Sequence, residues 1–299
     1  MSVPDIAKAL RAFGCTVKEA EPMCAHTSFK IGGAAEYFVS TADLIQAALI
    51  LRYCHEQQIP LLVLGNGSNL LVSDNGIDGV VLRVDAAAID VNGTYMTVQA
   101  GASLTRACLT ACERGLSGLE FAYGIPGTMG GGVYMNAGAY GGQLSDVVRS
   151  ATALTANGEV VELTAEQFNF AYRHSVLMEQ PLTVWSVMLE LTPDDSAVIR
   201  SHMEEHMAAR KAKQPLEYPS GGSFFKRPEG HFAGALIEQC GLKGFTVGGA
   251  QVSEKHAGFV INRGGATCAD VMELCRQVQE KVKKTFDVCL EREVQLVGC

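Results

Sequence analysis

The sequence lacks the two commonest signatures of nucleotide-binding proteins. No Gly-x-x-x-x-Gly-Lys-Ser/Thr motif occurs anywhere in it, which disfavours a P-loop phosphotransferase. Gly65-Asn-Gly67 begins a dinucleotide fingerprint, but Leu70 occupies the place of the third glycine and no helical pattern follows. A Rossmann dehydrogenase is therefore disfavoured as well.

Long apolar runs, excess basic charge and paired cysteines are also missing. No run of apolar residues approaches the length of a membrane span, and residues 1–11 have no apolar signal segment, so we expect a cytoplasmic protein without a membrane partner. The formal net charge of −8 at pH 7 disfavours nucleic-acid binding, which needs a basic face. The ten cysteines include no Cys-x-x-Cys pair, and we predict reduced thiols in the core, with Cys299 as an exception.

Glycine, in contrast, is abundant and clustered. Residues 123–142 hold eight of the 32 glycines, interleaved with apolar and aromatic side chains. A flexible linker would be hydrophilic, so we favour main chain that approaches a large ligand, with a bound cofactor as the natural candidate. A second glycine turn, Gly65 to Asn69, lies between two apolar runs that we predict to be strands, and its small residues suit N–H groups that bind a phosphate.

The order of the remaining patterns indicates an α+β fold. Residues 41–58 show helical spacing behind a Ser40-Thr41 cap, and residues 61–64 form a predicted strand. Asn92-Gly93 and Asn157-Gly158 each predict a two-residue hairpin. Further predicted elements are a short helix over 164–172 behind a capping box, a strand over 183–191, a charged helix over 196–213, a helix over 268–284 with Val271, Leu274, Val278 and Val282 on its buried face, and a final strand over 288–296.

Two clusters of polar residues suggest chemistry without deciding it. His202 and His206 share a helix face in a His-x-x-Glu-His pattern, but the charged flanks favour a solvated helix over a zinc site, and we expect no metal. The densest basic cluster surrounds Ser223 and is either a solubilising face or a pocket for an anion; it comprises Arg210, Lys211, Lys213, Lys226 and Arg227. Ser223 fits a proton donor better than a nucleophile, since no nucleophile elbow is present.

Six motifs together resemble the UDP-N-acetylenolpyruvoylglucosamine reductase family, in that family's order and over almost the whole chain. They are residues 27–33, 65–72, 124–131 with 136–141, 172–173, 222–226 and 290–294. Six motifs in order are far more specific than any one of them.

The resemblance implies an α+β fold with a two-lobed FAD-binding domain of the vanillyl-alcohol-oxidase (PCMH) type over residues 1–200, divided near residue 85. A smaller α/β substrate-binding domain follows over residues 201–299, and a change of composition after Pro215 and Pro219 agrees with a boundary in this region. Both glycine runs are implied to bind FAD, through Gly65, Asn66, Gly67, Ser68, Asn69, Tyr123, Gly124, Ile125, Pro126, Gly127, Thr128, Gly130, Gly131, Asn136, Ala137 and Gly138.

The resemblance also implies an enzyme, an NADPH-dependent FAD oxidoreductase of peptidoglycan precursor synthesis. It would reduce UDP-N-acetylglucosamine enolpyruvate to UDP-N-acetylmuramate. Arg173 and Glu293 would stabilise the enolate, and Ser223 would supply the proton. The implied substrate contacts are Tyr172, Lys213, Lys226 and His256. We expect a monomer whose partner is this UDP-sugar.

The chain departs from the family pattern at a few positions. Arg227 stands where the family often has asparagine, Gly221 stands where it has alanine, and Glu291 competes with Glu293 for the acid role. The short segment between Arg173 and Ser223 resembles the type II form, which lacks a tyrosine loop. Two alternatives stay open: an FAD-dependent oxidase or dehydrogenase of the same fold with another substrate, and a non-catalytic protein that binds a nucleotide sugar or flavin.

Overall fold

The computed structural model describes residues 5–298, so Cys299 lies outside the described residues. These residues form two compact units, each assembled from separate stretches of sequence. Unit 1 contains residues 5–19, 37–66 and 79–209, and unit 2 contains residues 20–36, 67–78 and 210–298. The division into domains at residue 200 stays a prediction. The two units are defined by packing and not by position in the sequence, since Phe29, Ile31 and Leu71 belong to the apolar core of unit 2.

The described residues contain both helices and strands, as expected of an α+β fold. The helices are α1 (Ile6–Ala12), α2 (Leu44–Glu56), α3 (Leu104–Glu113), α4 (Met129–Tyr134), α5 (Ser196–Lys213), α6 (Ala233–Gln239) and α7 (Cys268–Phe286). The strands are β1 (Thr16–Pro22), β2 (Ala34–Thr41), β3 (Leu61–Leu64), β4 (Leu70–Val72), β5 (Ile77–Val84), β6 (Ile89–Asn92), β7 (Tyr95–Gln99), β8 (Leu116–Ser117), β9 (Gly138–Ala139), β10 (Gly142–Gln143), β11 (Val148–Leu154), β12 (Val160–Thr164), β13 (Thr183–Glu190), β14 (Thr192–Pro193), β15 (Ser220–Ser223), β16 (Thr246–Val247), β17 (Ala250–Val252), β18 (Phe259–Asn262) and β19 (Gln295–Val297).

Unit 1 is built on a five-stranded antiparallel sheet of order β12-β11-β13-β7-β6. Hairpins form at both predicted places in it, but the predicted two-residue loop forms at only one of them. Asn92 pairs with Tyr95, so β6 and β7 are joined by a two-residue turn, and Gly158 lies in the longer loop between β11 and β12. The predicted strand at 61–64 is β3, which pairs in parallel with β5 in a sheet of order β1-β2-β5-β3.

The helix predictions for unit 1 are right about α2 and wrong about the segment after β12. Helix α2 begins later than predicted, because Thr41 is the last residue of β2 and Asp43 caps the helix by accepting from the Gln46 N–H at 2.9 Å. The predicted helix over 164–172 shrinks to a 3-10 turn at Glu166–Phe168. It stops there because Asn169 adopts a left-handed conformation with φ of 47°.

Unit 2 confirms the predicted helix near its end. In α7, the side chains of Val271, Leu274, Val278 and Val282 are fully buried, as predicted. Its first turn is capped by Thr267 and by the Asp74 carboxylate, which accepts from the Cys268 and Ala269 N–H groups at 2.7 and 3.0 Å. The helix packs in a core with the antiparallel sheet β15-β18-β17-β16.

The predicted final strand over 288–296 is only partly correct. The regular strand is β19, which pairs in parallel with β4, with Gln295 opposite Leu70. Before it, a single bridge joins Arg292 to Phe225. Leu290 and Val294 are buried as the alternating pattern predicts, while Val288 and Leu296 are half-buried.

The nine described cysteines are free thiols, and most of them are buried. Cys24 and Cys289 are exposed, so the prediction that the thiols lie in the core is wrong for these two, which lie in a short 3-10 turn and just after α7. Burial raises the pKa of the Cys54 thiol to about 11, so it stays protonated at neutral pH. Within residues 5–298, no helix has the length and apolar character needed to cross a membrane.

Candidate functional site

In unit 1, the start of the glycine turn from Gly65 to Asn69 contacts the glycine-rich run of residues 123–142. A Cβ atom on Gly65 would lie 2.5 Å from the Thr128 hydroxyl oxygen, so this close approach requires glycine. The Asn66 side-chain amide donates to the Pro126 carbonyl at 3.1 Å. Two stretches predicted to bind the same ligand, separated by about sixty residues of sequence, therefore meet at these four residues.

In unit 2, the same turn continues through Gly67, Ser68 and Asn69. Gly67 is buried with φ of 58°, and neither its amide N–H nor that of Ser68 has an acceptor among residues 5–298. A buried N–H without a partner is costly, and consecutive amides of this kind suit the oxygens of a phosphate. Asn69 is anchored instead: its side-chain amide donates to the Glu293 carbonyl at 3.2 Å, and its own carbonyl accepts from the Gln295 N–H at 3.0 Å.

The long glycine run forms a short helix followed by a hairpin. Thr128 caps α4 by accepting from the Gly131 N–H at 3.3 Å. Gly130 is needed for packing, because a Cβ there would lie 2.9 Å from the Ala100 Cβ. Gly131 is exposed, and the nearest atom to a Cβ there, the Thr128 hydroxyl oxygen, would be 3.5 Å away. Packing within the protein therefore explains Gly130 but not Gly131.

Within each unit, these features fit a large phosphate-bearing ligand such as the FAD that the resemblance implies. In unit 2, the unsatisfied amides of Gly67 and Ser68 suit a pyrophosphate. In unit 1, the exposed backbone at Gly131 is free of close protein neighbours. The other predicted cofactor residues of unit 1 that belong to the glycine-rich run are Tyr123, Gly124, Ile125, Gly127, Ala137 and Gly138. Asn136 differs from them, because its side chain is almost fully buried and bound to protein groups.

Tyr172 and Arg173 form the tip of a tight turn beside this run. Ala171 and His174 exchange two backbone hydrogen bonds of 3.2 Å that close the turn, and Arg173 has φ of 54°. The Arg173 guanidinium donates to the Gly138 carbonyl at 3.0 Å and lies 5.3 Å from the centre of the Tyr172 ring. The structure thus brings both predicted residues together with Gly138, while the Tyr172 side chain remains 54% exposed.

One anchor of this turn is missing from the sequence predictions. The Ser175 hydroxyl is fully buried and donates to the Tyr134 carbonyl at 2.8 Å, which fastens the end of the turn to the end of α4. The only sequence signal is a polar residue placed directly before the apolar pair Val176-Leu177. His206, one of the two histidines of the zinc-like pattern, stacks on Tyr140 at 4.4 Å. Within residues 5–298, no cluster of three or more metal-ligating side chains is found.

Unit 2 brings Ser223 and Glu293 into adjacent strand segments, whereas Arg173 belongs to unit 1. Ser223 is the exposed last residue of β15, directly after Gly222 with φ of 81°. The next residue, Phe224, is buried; its N–H donates to the Gly258 carbonyl at 2.8 Å, and its carbonyl accepts from the Glu293 N–H at 2.9 Å. Backbone pairing on both sides therefore fixes the chain beside Ser223.

Two basic residues that follow Ser223 in the sequence, Lys226 and Arg227, contact other side chains. The Lys226 ammonium pairs with the exposed Glu291 carboxylate at 2.6 Å, which distinguishes Glu291 from the half-buried Glu293. The Arg227 guanidinium lies 4.0 Å from the centre of the Phe232 ring. Lys226 and Arg227, two of the five cations in the basic cluster, are therefore each oriented by a neighbouring side chain.

His256 is half-buried, and its Nδ1 accepts from the Gly258 N–H at 3.1 Å. Burial lowers the pKa of His256, and the positive charges of Lys243 and Lys213 act in the same direction. The imidazole is consequently neutral at pH 7. Lys213, at the end of α5, is thus electrostatically coupled to His256 within unit 2.

Comparison with known proteins decides the family. An FAD binding domain matches residues 35–164, and the C-terminal domain of UDP-N-acetylenolpyruvoylglucosamine reductase matches residues 214–297. The protein of that name from Listeria monocytogenes serovar 1/2a is 49% identical over 94% of this chain and 95% of its own length. The chain belongs to the UDP-N-acetylenolpyruvoylglucosamine reductase family.

Solved structures agree with this family assignment. The crystal structure of UDP-N-acetylenolpyruvylglucosamine reductase from Thermus caldophilus matches with a TM-score of 0.82 and 34% identity, over 95% of this chain and 99% of that one. A variant of berberine bridge enzyme shares the fold at a TM-score of 0.50 and 14% identity, over 65% of this chain and 44% of that one. The predicted fold class, a PCMH-type FAD-binding domain with a further C-terminal domain, is confirmed. The chain is an enzyme of this reductase family, an FAD oxidoreductase.

Proposed function

We propose that this enzyme reduces UDP-N-acetylglucosamine enolpyruvate to UDP-N-acetylmuramate in peptidoglycan precursor synthesis, with NADPH as co-substrate. The observation that carries the proposal is the pairing of the segments that hold Ser223 and Glu293, through the bond between Phe224 and the Glu293 amide. The reaction needs a hydroxyl group that donates a proton and a carboxyl group that stabilises the enolate, and backbone pairing holds the segments that carry these two groups next to each other. The relatives' names support the substrate. The cytoplasmic location and monomeric state expected from the sequence belong to the same proposal.

The proposed reaction needs charge stabilisation and a proton donor. When bound, FAD supplies the hydride equivalent that it has received from NADPH. Negative charge then develops next to the substrate carboxylate, and we assign the Arg173 guanidinium and the Glu293 carboxyl group to stabilise this enolate. Ser223 supplies the proton to the carbon. Its hydroxyl is exposed, and the backbone that carries it is fixed by pairing.

The remaining charged groups suit the anionic part of a nucleotide sugar. We assign Lys213 and Arg227 to the diphosphate, because both are cations of the basic cluster and the Arg227 guanidinium is oriented by the Phe232 ring. The exposed ring of Tyr172 and the His256 imidazole complete the proposed substrate contacts. Lys226 has a weaker claim to direct contact, since Glu291 already neutralises it.

The deciding experiment is an anaerobic spectral titration of the purified FAD-loaded protein. Bleaching of the flavin band by NADPH, followed by its return on addition of the enolpyruvyl UDP-sugar, would identify donor and acceptor together. Bleaching without return would favour an oxidase or dehydrogenase for another substrate. Failure of the protein to take up FAD would contradict the interpretation of both glycine runs.

The role of Ser223 is tested by Ser223→Ala, with Ser220→Ala on the same strand as the matched control. We expect Ser223→Ala to keep the rate of flavin bleaching within about twofold and to slow product formation by about 10²- to 10⁴-fold, the range of general acid catalysis. Ser220→Ala should change neither half-reaction substantially. Unchanged turnover in Ser223→Ala would contradict the assignment of the proton donor.

A further inference from the structure

The side chain of Asn136 is committed to protein groups at both of its ends. Only 2% of the residue is exposed. Its Nδ2 donates to the Ala171 carbonyl at 3.1 Å and to the Gln143 side-chain oxygen at 3.3 Å, and its Oδ1 accepts from the Ser145 N–H at 3.0 Å. A side chain used in this way has little capacity left for a cofactor.

The bond to Ala171 reaches the base of the turn that carries Arg173. Ala171 closes that turn through its bonds with His174. Arg173 itself has φ of 54°, a conformation that costs free energy in a residue with a side chain and persists only where neighbouring contacts hold it. Asn136 is such a contact, because its amide holds the Ala171 carbonyl from outside the turn.

Asn136 also orders the strand that receives the guanidinium. The Arg173 guanidinium donates to the carbonyl of Gly138, two residues after Asn136. The bonds from Asn136 to Gln143 and Ser145 join the start of the β9–β10 hairpin to the segment that follows it. The buried Asn136 side chain therefore fixes two backbone segments: the turn that carries Arg173, and the segment whose Gly138 carbonyl accepts from the Arg173 guanidinium.

We propose that Asn136 is a positioning residue that holds Arg173 in its working geometry, rather than a ligand of FAD. This inference rests on the proposed function, in which Arg173 stabilises the enolate. Asparagine suits the position because it tolerates the left-handed backbone, with φ of 42°, and offers a donor and an acceptor from one planar group. Aspartate would keep the acceptor for Ser145 but lose the donor for Ala171.

The test compares Asn136→Gly with Asn169→Gly. Both remove an asparagine side chain at a left-handed position and keep a backbone that glycine adopts readily, and Asn169 is exposed. We expect Asn136→Gly to lower kcat and the rate of flavin reoxidation by the enolpyruvyl UDP-sugar by about 10- to 100-fold, since misplaced catalytic groups cost rates of that order. KM, FAD content and bleaching by NADPH should stay within about twofold, and Asn169→Gly should behave as the unmodified enzyme.

A double-mutant cycle with Arg173→Ala separates positioning from cofactor binding. If Asn136 acts through Arg173, adding Asn136→Gly to Arg173→Ala should cause no further loss of kcat. A full second loss, or a loss of FAD affinity in either background, would overturn the proposal. If Asn136→Gly yields no folded protein, Asn136→Asp takes its place in the cycle, with the same result expected.

Hydrogen exchange of the protein without FAD provides a readout that needs no turnover. We expect Asn136→Gly to accelerate exchange of the His174 and Ala171 amides, while the amides of α7 keep their protection. Unchanged exchange at the turn would contradict the tie between Asn136 and Ala171. Absence of turnover in the unmodified enzyme would instead count against the proposed function, so the two failures can be told apart.

Discussion

The backbone amide of Glu293 donates to the carbonyl of Phe224, the residue directly after Ser223, at 2.9 Å. The segments that carry the proposed acid and the proposed proton donor are thus joined by a backbone bond, which substitution of either side chain leaves in place unless proline is introduced at residue 293. Phe224 is also buried, which holds this ladder in the core of unit 2. Substitutions at Ser223 and Glu293 therefore test chemistry with little effect on the fold.

Glu293→Gln should lower kcat by about 10²- to 10³-fold, as expected for loss of a group that stabilises developing charge, with a small change in KM. The matched control is Glu291→Gln, whose carboxylate is exposed and pairs with Lys226. The control should lose far less activity. Steady-state kinetics of both variants checks this, and a larger loss in Glu291→Gln would exchange the two assignments.

Gly131→Ala should weaken FAD binding without destabilising the protein. Its Cβ would meet no protein atom closer than 3.5 Å, and alanine favours a helix over glycine by up to about 1 kcal/mol. Gly130→Ala, in contrast, should lower the thermal stability of the protein without FAD, because its Cβ would lie 2.9 Å from that of Ala100. Flavin fluorescence titration and thermal melting distinguish these cases. Unaltered FAD affinity in Gly131→Ala would place the cofactor elsewhere.

The depressed pKa of His256 predicts a pH dependence of stability. Because the folded state holds this imidazole neutral below its ordinary pKa of 6.5, the unfolded chain binds more protons there. Its contribution to stability is present above pH 6.5 and is lost as the pH falls toward the lowered folded-state value. We expect His256→Gln to reduce the loss of unfolding free energy between pH 7 and pH 5. Urea unfolding at both pH values measures it, and equal losses in the two proteins would contradict the prediction.

Asp74→Ala should destabilise unit 2 by about 1 kcal/mol, the usual cost of removing a helix cap. Asp74 accepts from two N–H groups in the first turn of α7, which would otherwise need water. Asp78→Ala, a nearby exposed acidic residue on β5, is the control and should have little effect. Comparison of their urea midpoints tests the role of this cap.

Local patterns predicted the elements whose cause is local. The helical spacing of Val271, Leu274, Val278 and Val282 predicts one buried face, and in α7 all four side chains are buried. The predicted helix over 164–172 overlapped the turn that carries Arg173, because the determinants of this turn are distant in sequence: Asn136, which binds the Ala171 carbonyl, lies 35 positions before Ala171. The left-handed backbone that ends the short 3-10 turn falls on Asn169, a residue type that tolerates this conformation, but an asparagine alone does not predict that a helix ends there.

The candidate site shows the same division. The glycine runs pointed to a ligand correctly in kind, since the family binds FAD. The spacing of the glycines could not show the reason for each one: Gly130 packs against Ala100, whereas a Cβ at Gly131 would have no close protein neighbour. Nor could it show that Lys226 is paired with Glu291, because that contact spans 65 positions of sequence.

The parallel pairing of β19 with β4 has a consequence for synthesis on the ribosome. Asn69 and Glu293, which meet beside this pair, are 224 positions apart, so the residues around β4 emerge long before their partners. Unit 2 cannot be completed during translation until β19 has left the exit tunnel. Until then the apolar side chains of its early segments, Phe29, Ile31 and Leu71, lack their final neighbours, and transiently exposed apolar surface of this kind favours aggregation.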